Sequence, residues 1–125
     1  MDGKGRLGRR GEELAGQYLE ARGHQVLERN WRSGHLEIDL ITLAPDGLHF
    51  VEVKSRTAPA AVPPQEQVDR TKRRRIVSAS RAYLRSPRRG LFRDRECFFD
   101  VVAVLFDGNK SEISWFPQAF LPIDL

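Results

Sequence analysis

One cysteine, three scattered histidines and no long apolar run set the first limits on this chain. A lone thiol, Cys97, cannot close an internal disulfide, so a reducing cytoplasm is the expected compartment. One Cys and three dispersed His do not make the ligand set of a zinc site. No apolar stretch approaches membrane-spanning length, and the opening "MDGKGRLGRR" lacks the apolar core of a signal peptide, so no membrane association is expected. Asn, Gln and aromatic residues are not clustered beside the basic residues, which disfavours reading of base edges.

What the chain does contain is charge, unevenly spread. Its 125 residues are 40% apolar and 30% charged, which fits one soluble globular domain over residues 1–125 with residues 1–7 frayed. The net charge is +4, yet Asp69 to Arg95 holds 11 Lys or Arg against 2 acids, or +9. The remaining 10 basic and 15 acidic residues sum to −5. A basic block beside an acidic remainder suits a polyanionic partner, although a solvated Arg-rich helix face has the same composition.

Periodicity predicts a helix over about 8–22 that ends at Gly23, with Leu7, Gly11, Leu14, Ala15, Tyr18 and Leu19 on one stripe. Glu13, Gln17 and Glu20 fall opposite, in solvent, while Glu12 falls at the stripe's edge. Strands follow at about 25–31, 36–43 and 48–55, separated by turns at "SGH" and "APDG". A loop with three prolines spans 56–64. A second helix over about 69–85 starts at an Asp69 N-cap and buries Ile76, Val77, Ser80, Tyr83 and Leu84. "CFFDVVAVLF" reads as a buried strand and about 112–116 as a short last one. The order α-β-β-β-α-β-β implies an α/β fold, a mixed sheet flanked by helices.

The stretch "FVEVKSR", residues 50–56, puts an acid and a base into the most apolar of these strands. Alternation places Phe50, Glu52 and Lys54 on one face, and Val51, Val53 and Ser55 on the other. In the strand before it, Glu37, Asp39 and Ile41 share a face, and Leu36, Ile38 and Leu40 the other. The apolar sets meet only if paired residue numbers sum to an odd number, because a one-residue slip turns every side chain over. A loop over Ala44–Gly47 does this: Leu43 opposes Leu48, Asp39 opposes Glu52, and Glu37 opposes Lys54. Two opposed carboxylates repel and need a proton, a lysine or a metal between them. Hard oxygen ligands suit Mg²⁺ or Mn²⁺. An acid-x-Lys triplet alone is a common half-exposed ion pair; together with Asp39, Glu37 and Glu12 it points to a site.

In order, "GRRGEELAGQYL", "NWRSGHLEIDLI", "FVEVKSR", "DRTKRRR" and "FFDVVAV" resemble the YraN-like group of bacterial proteins, predicted endonucleases related to archaeal-type Holliday junction resolvases. The resemblance runs from about Gly5 to Val104. It implies the restriction-endonuclease-like fold and a PD-(D/E)xK site: Asp39 as first acid, Glu52 as second, Lys54 as the lysine, and Glu12 as the helix acid that assists metal binding. Leu36 stands where the group usually has Gly before Glu37, with Gly34 and His35 just ahead, so a local loop difference is expected with the acids intact. Ile38, in place of the motif's Pro, is usual in this branch.

The resulting expectation is a Mg²⁺- or Mn²⁺-dependent endonuclease acting on DNA in preference to RNA, with branched or structured forms among the candidate substrates. Asp39, Glu52 and Lys54 are catalytic, with Glu12, Asp39 and Glu52 as metal ligands. Arg56, Lys72, Arg73 and Arg74 are the expected nucleic-acid contacts, the first three nearest the site because they sit near element ends. Arg81 and Arg85 line the same outer helix face as Arg74. "SPRRGLFRDR" is either a loop gripping nucleic acid or an exposed connection. Asp100 is either a supporting acid or a satisfied buried carboxylate, and Gln67 a phosphate contact or an ordinary helix-entry residue. His24, His35 and His49 read as loop or surface residues, Trp31 and Trp115 as core or sheet edge. The sequence does not fix the oligomeric state; a homodimer rests on analogy with the resolvases alone. The rival readings are a catalytically idle nucleic-acid-binding module and a protein-interaction domain with a basic face.

Overall fold

The computed structural model describes residues 5–60, 68–86 and 94–122. The expected frayed start, residues 1–7, falls partly outside these; within them the first helix already begins at Arg6. Gln67 and most of "SPRRGLFRDR" also lie outside the described residues.

Helix α1 (Arg6–Glu20) precedes strands β1 (Gln25–Ser33), β2 (Leu36–Ala44) and β3 (Gly47–Thr57). Helix α2 (Arg70–Arg85) then leads to β4 (Cys97–Asp107) and β5 (Lys110–Phe120). The architecture is α/β, in the order α-β-β-β-α-β-β that periodicity predicts. The five strands form one mixed sheet in sequence order, β1-β2-β3-β4-β5. Only β3 and β4 run parallel, because α2 carries the chain back across the sheet between them; the other three pairings are antiparallel.

β3 is therefore the central strand, and both of its faces are covered. On one face Val51 packs with Ala15 and Leu19 of α1, Leu40, Val102 and Val104. On the other, Phe50 packs with Ile76, Val77 and Tyr83 of α2, Ile41, Phe99 and Val101. Side chains alternate across a strand, so Glu52 and Lys54 share the face of Phe50, the side on which α2 lies. Each fully buried Leu, Val or Phe in these layers contributes about 1.5–3 kcal/mol relative to exposure.

Three local features follow from the sequence. Asp69 caps α2, its side chain accepting from the Lys72 N–H at 2.9 Å. The β1–β2 turn is Gly34-His35, with Gly34 at φ 61°, so the left-handed residue is supplied two positions before Leu36, which is free to start β2. Gly11 lets α1 lie against β3: a Cβ added there would collide with the Ser55 hydroxyl.

Other expectations need correction. Leu7, placed on the apolar stripe of α1, is 39% exposed, since it lies in the first turn, while Gly16 is buried under the guanidinium of Arg29. β3 runs on to Thr57, so Arg56 is a strand residue and not part of a loop. β5 is eleven residues long, passing through Pro117 with a register shift against β4 between Phe99 and Val101; an edge strand tolerates the missing N–H.

His24 and His49 are buried and not on the surface. His49 Nδ1 lies 2.6 Å from Asp100 Oδ2 and Nε2 lies 2.8 Å from Asp46 Oδ1, while the ring stacks on Phe98 at 4.7 Å. Asp100 also accepts from Trp115 Nε1 at 3.1 Å and from the Gln118 N–H at 3.0 Å. His24 reaches Thr42 Oγ1 at 2.7 Å and meets the His49 ring edge-on at 4.6 Å. Burial opposes charge on His49, but its bonds to Asp100 and Asp46 outweigh burial and raise its pKa. Burial, with His49 alongside, lowers the pKa of His24. The network ties the β2–β3 turn and the β5 edge to the middle of the sheet.

Two outcomes are expected. Gly11→Ala lowers stability by about 1–3 kcal/mol through overpacking, and Ser55→Ala in the same chain recovers part of it, as read by urea denaturation of the single and double variants. His49 binds its proton more tightly when folded, so its contribution is complete below the unfolded pKa of 6.5 and is lost as pH rises through the raised folded value. Above pH 6.5 the melting temperature of His49→Gln therefore falls less steeply with pH than that of the parent; parallel slopes overturn the assignment.

Candidate active site

β2 and β3 pair from Ala44–Gly47 through Leu43–Leu48 and Ile41–Phe50 to Leu40–Val51, and there the ladder ends. This is the odd-sum register that the apolar pattern requires, with the turn tightened to Pro45-Asp46. The next pair in that register is Asp39 with Glu52. In place of a backbone bond, Asp39 Oδ2 accepts from the Val53 N–H at 2.8 Å. The acid thus satisfies the amide that the departing strand leaves bare, and is fixed against β3 by it.

The facing of β2 changes at this point. Ile41 and Leu43 pack in the α2-side cluster, as alternation predicts, but Leu36 and Ile38 join the same cluster. Alternation would have sent them to the α1 side with Leu40. They lie beyond the end of the β2–β3 ladder, where only β1 holds the register, through Trp31–Ile38 and Ser33–Leu36. For the same reason Glu37 does not pair with Lys54: its partner across β1 is Arg32, at 3.7 Å.

Asp39 and Glu52 are both about 5% exposed. Burial, and then the neighbouring charge of Asp39, push the Glu52 carboxyl up to about 8. Two ammonium groups pull the other way. Lys72 Nζ of α2 lies 3.3 Å from Glu52 Oε1, and Lys54 Nζ lies 3.9 Å from the same atom. At neutral pH the pair therefore holds a proton or a cation. Two adjoining, largely desolvated carboxylates with lysines beside them are a hard-oxygen donor set of the kind a small divalent cation takes. Glu12 is buried on α1, next to Gly11 and its contact with Ser55. Among the described residues no three Asp, Glu, His or Cys side chains gather into a metal-holding group, so the described cluster is the pair Asp39–Glu52 without Glu12.

The basic residues separate by role. Arg56 follows Lys54 on the same face of β3 and is half-buried. Arg73 is turned inward: its Nε donates to the Val68 carbonyl at 2.8 Å and its guanidinium sits 5.4 Å over the Phe120 ring. That contact anchors the start of α2 to the end of β5 and occupies a group expected to face nucleic acid. Arg74, Arg81 and Arg85 are exposed along the outer side of α2. Asp100 belongs to the opposite face of the sheet, opposite Val51, where it is the fully bonded carboxylate of the His49 network and no part of this site. Trp31 packs edge-on against Tyr83 at 5.2 Å, a core role.

Sequence reasoning missed one feature. A cavity of about 110 Å³ lies between the β1–β2 turn and α2, lined by His35, Leu36, Glu37, Lys72, Arg75 and Ile76. The i, i+3 spacing of Lys72 and Arg75, which sets both on one side of the helix, was the signal available.

Comparison with known proteins gives the chain its relatives. It is 36% identical over 120 residues to a UPF0102 protein of Nitratidesulfovibrio vulgaris, covering 96% of this chain and 87% of the relative. A UPF0102 protein of Chlorobium chlorochromatii is 47% identical over 100 residues, covering 78% and 73%. One from Bacteroides thetaiotaomicron is 37% identical over 117 residues and covers 93% of each chain. The family model described as uncharacterised protein family UPF0102 matches residues 11–104, a span that holds Glu12, Asp39, Glu52, Lys54 and Lys72 alike, and the chain belongs to that family, the YraN family.

Proposed function

We propose that this chain is a metal-dependent endonuclease that hydrolyses phosphodiester bonds in DNA, branched or otherwise structured DNA being among the substrates to test. The observation that carries the reading is the meeting of Asp39 and Glu52, both buried, on the α2-side face of a central strand, with Lys54 two residues on. A purely structural strand has no use for two repelling carboxylates at that depth. The restriction-endonuclease-like kinship implied by the sequence motifs agrees with the mixed sheet and its parallel β3–β4 crossover.

Asp39 and Glu52 would hold the cation, Mg²⁺ or Mn²⁺; the assisting role of Glu12 rests on the family resemblance alone, since it stands outside that pair among the described residues. When bound, the ion supplies positive charge for a phosphate and lowers the pKa of a water beside it. Asp39 is held in place by the Val53 N–H. Lys54 directs its ammonium to the attacking water or to the charge that develops on the phosphate. Arg56, next on that face, and Arg74, Arg81 and Arg85 on the outer side of α2 contact the backbone phosphates, which gives salt-sensitive binding without sequence reading. Arg73 serves by holding α2 in place. A homodimer, one site per strand, would match a two-fold junction.

The exposed row of Arg74, Arg81 and Arg85, which stands apart from the acid pair, also suits a nucleic-acid-binding module with no turnover. That reading predicts binding that the acid substitutions leave untouched.

Purified protein with Mg²⁺ or Mn²⁺ is expected to cleave at least one of junction, flap, single-stranded or duplex DNA. Asp39→Asn, Glu52→Gln and Lys54→Ala should each lower the rate by at least about a hundredfold. No cleavage of any substrate with either metal, or activity surviving Asp39→Asn, overturns the proposal. A second outcome concerns protons. Because Glu52 is pushed up to about 8, cation binding at pH 7 expels nearly one proton, and apparent affinity rises with pH until about 8 and then levels. Calorimetry in two buffers of different ionisation enthalpy measures this; binding that releases no proton at pH 7 contradicts it.

A further inference from the structure

The ammonium nearest Glu52 comes from a helix, not from the strand that carries the site. Lys72 sits in the first turn of α2 and reaches inward to 3.3 Å from Glu52 Oε1. Its side chain is 44% exposed, while that of Glu52 is 6% exposed. A long, half-exposed side chain with one buried partner is held there by charge more than by packing. Lys72 also lines the cavity between the β1–β2 turn and α2. Arg75 and His35 stand exposed on that cavity's wall. Its one acid, Glu37, is 3.7 Å from Arg32. The backbone N–H of Lys72 is occupied by Asp69, so the positive character of the cavity comes from its side chains.

Resting on the reading of Asp39 and Glu52 as a cation site, we infer that Lys72 is an exchangeable partner of Glu52, seated on its carboxyl in the free protein, which moves to the adjoining cavity, where with Arg75 it holds a backbone phosphate of a bound nucleic-acid strand. A divalent cation held by Asp39 and Glu52 would be repelled by an ammonium seated on the Glu52 carboxyl. A phosphate in the cavity offers Lys72 an anionic partner that it shares with Arg75. Its departure leaves the acid pair to the metal. Strand and ion thus favour each other's binding, and the reciprocity is required by linkage. The site discriminates between ion alone and ion with substrate by which group Lys72 pairs with.

The test titrates Mn²⁺ by calorimetry into the full chain and its Lys72→Ala, Lys72→Gln and Glu52→Gln variants. A labelled oligonucleotide is bound separately in EDTA across a salt series, with Arg75→Ala added. Lys72→Ala and Lys72→Gln should bind Mn²⁺ roughly fivefold tighter than the parent, since a competing charge has gone. Each of Lys72→Ala and Arg75→Ala should weaken oligonucleotide binding and reduce the slope of log affinity against log salt by roughly one. Unchanged or weaker Mn²⁺ binding in both Lys72 variants overturns the inference, as does an unchanged salt slope in Lys72→Ala. Loss of Mn²⁺ binding in Glu52→Gln shows that the acid-pair reading stands in either case. If the parent and Lys72→Ala both fail to bind Mn²⁺, or Glu52→Gln binds it as the parent does, the acid-pair reading itself falls and this inference with it. Melting curves in EDTA check that the Lys72 and Arg75 variants fold; all alter partly exposed side chains of a capped helix.

Discussion

Two carboxylates share a desolvated corner of this protein, and much of the surrounding structure bears on how they are kept there. Charge buried at that depth is unfavourable unless paired. Asp39 is satisfied by a backbone amide that β2 relinquishes as it leaves β3. Glu52, its pKa pushed up by burial and by Asp39, is faced by two lysines from different elements. The end of the β2–β3 ladder is thus the same event as the creation of the site: had pairing continued, the Val53 amide would have been spent on backbone and Asp39 would lack its fixed donor.

The sheet supplies the rigidity that such a pair demands. β3 is flanked by β2 and β4 and covered on both faces, by α1 through the Gly11–Ser55 contact and by α2 through Ile76, Val77 and Tyr83. The parallel β3–β4 pairing forces a crossover, and the crossover is what delivers the first turn of α2 to the acid pair. Arg73 then pins that turn to Phe120 at the far strand. The opposite face carries a separate buried network around His49 and Asp100, which stabilises the turn and the edge strand without touching the site. Polar groups are buried on both faces, and in both places each carboxylate has its own donors.

The UPF0102 family carries no characterised activity in its description, so the chemistry has to be argued from the site. The residues furnish an acid pair, a fixed donor, a strand lysine and a basic helix; together these suit phosphoryl chemistry on a polyanion better than they suit a plain fold-stabilising cluster. The two lysines beside Glu52 differ in kind. Lys54 is carried by the strand itself, whereas Lys72 reaches Glu52 from α2 and also lines the cavity beside the β1–β2 turn.

Much was legible in the sequence because it depends on local rules. Strand alternation put Glu52 and Lys54 on the face of Phe50. The requirement that apolar faces meet selected the β2–β3 register, and the Asp69 cap marked the start of α2. These features depend on period, parity and capping, which short segments carry by themselves. The change of facing in β2 at Asp39, the pairing of Glu37 with Arg32, the inward turn of Arg73, and the burial of His24 and His49 were decided only in three dimensions. Each depends on which distant element packs alongside, and on where a ladder stops. No local pattern encodes that, because it arises from competition between backbone pairing and side-chain satisfaction across the folded sheet.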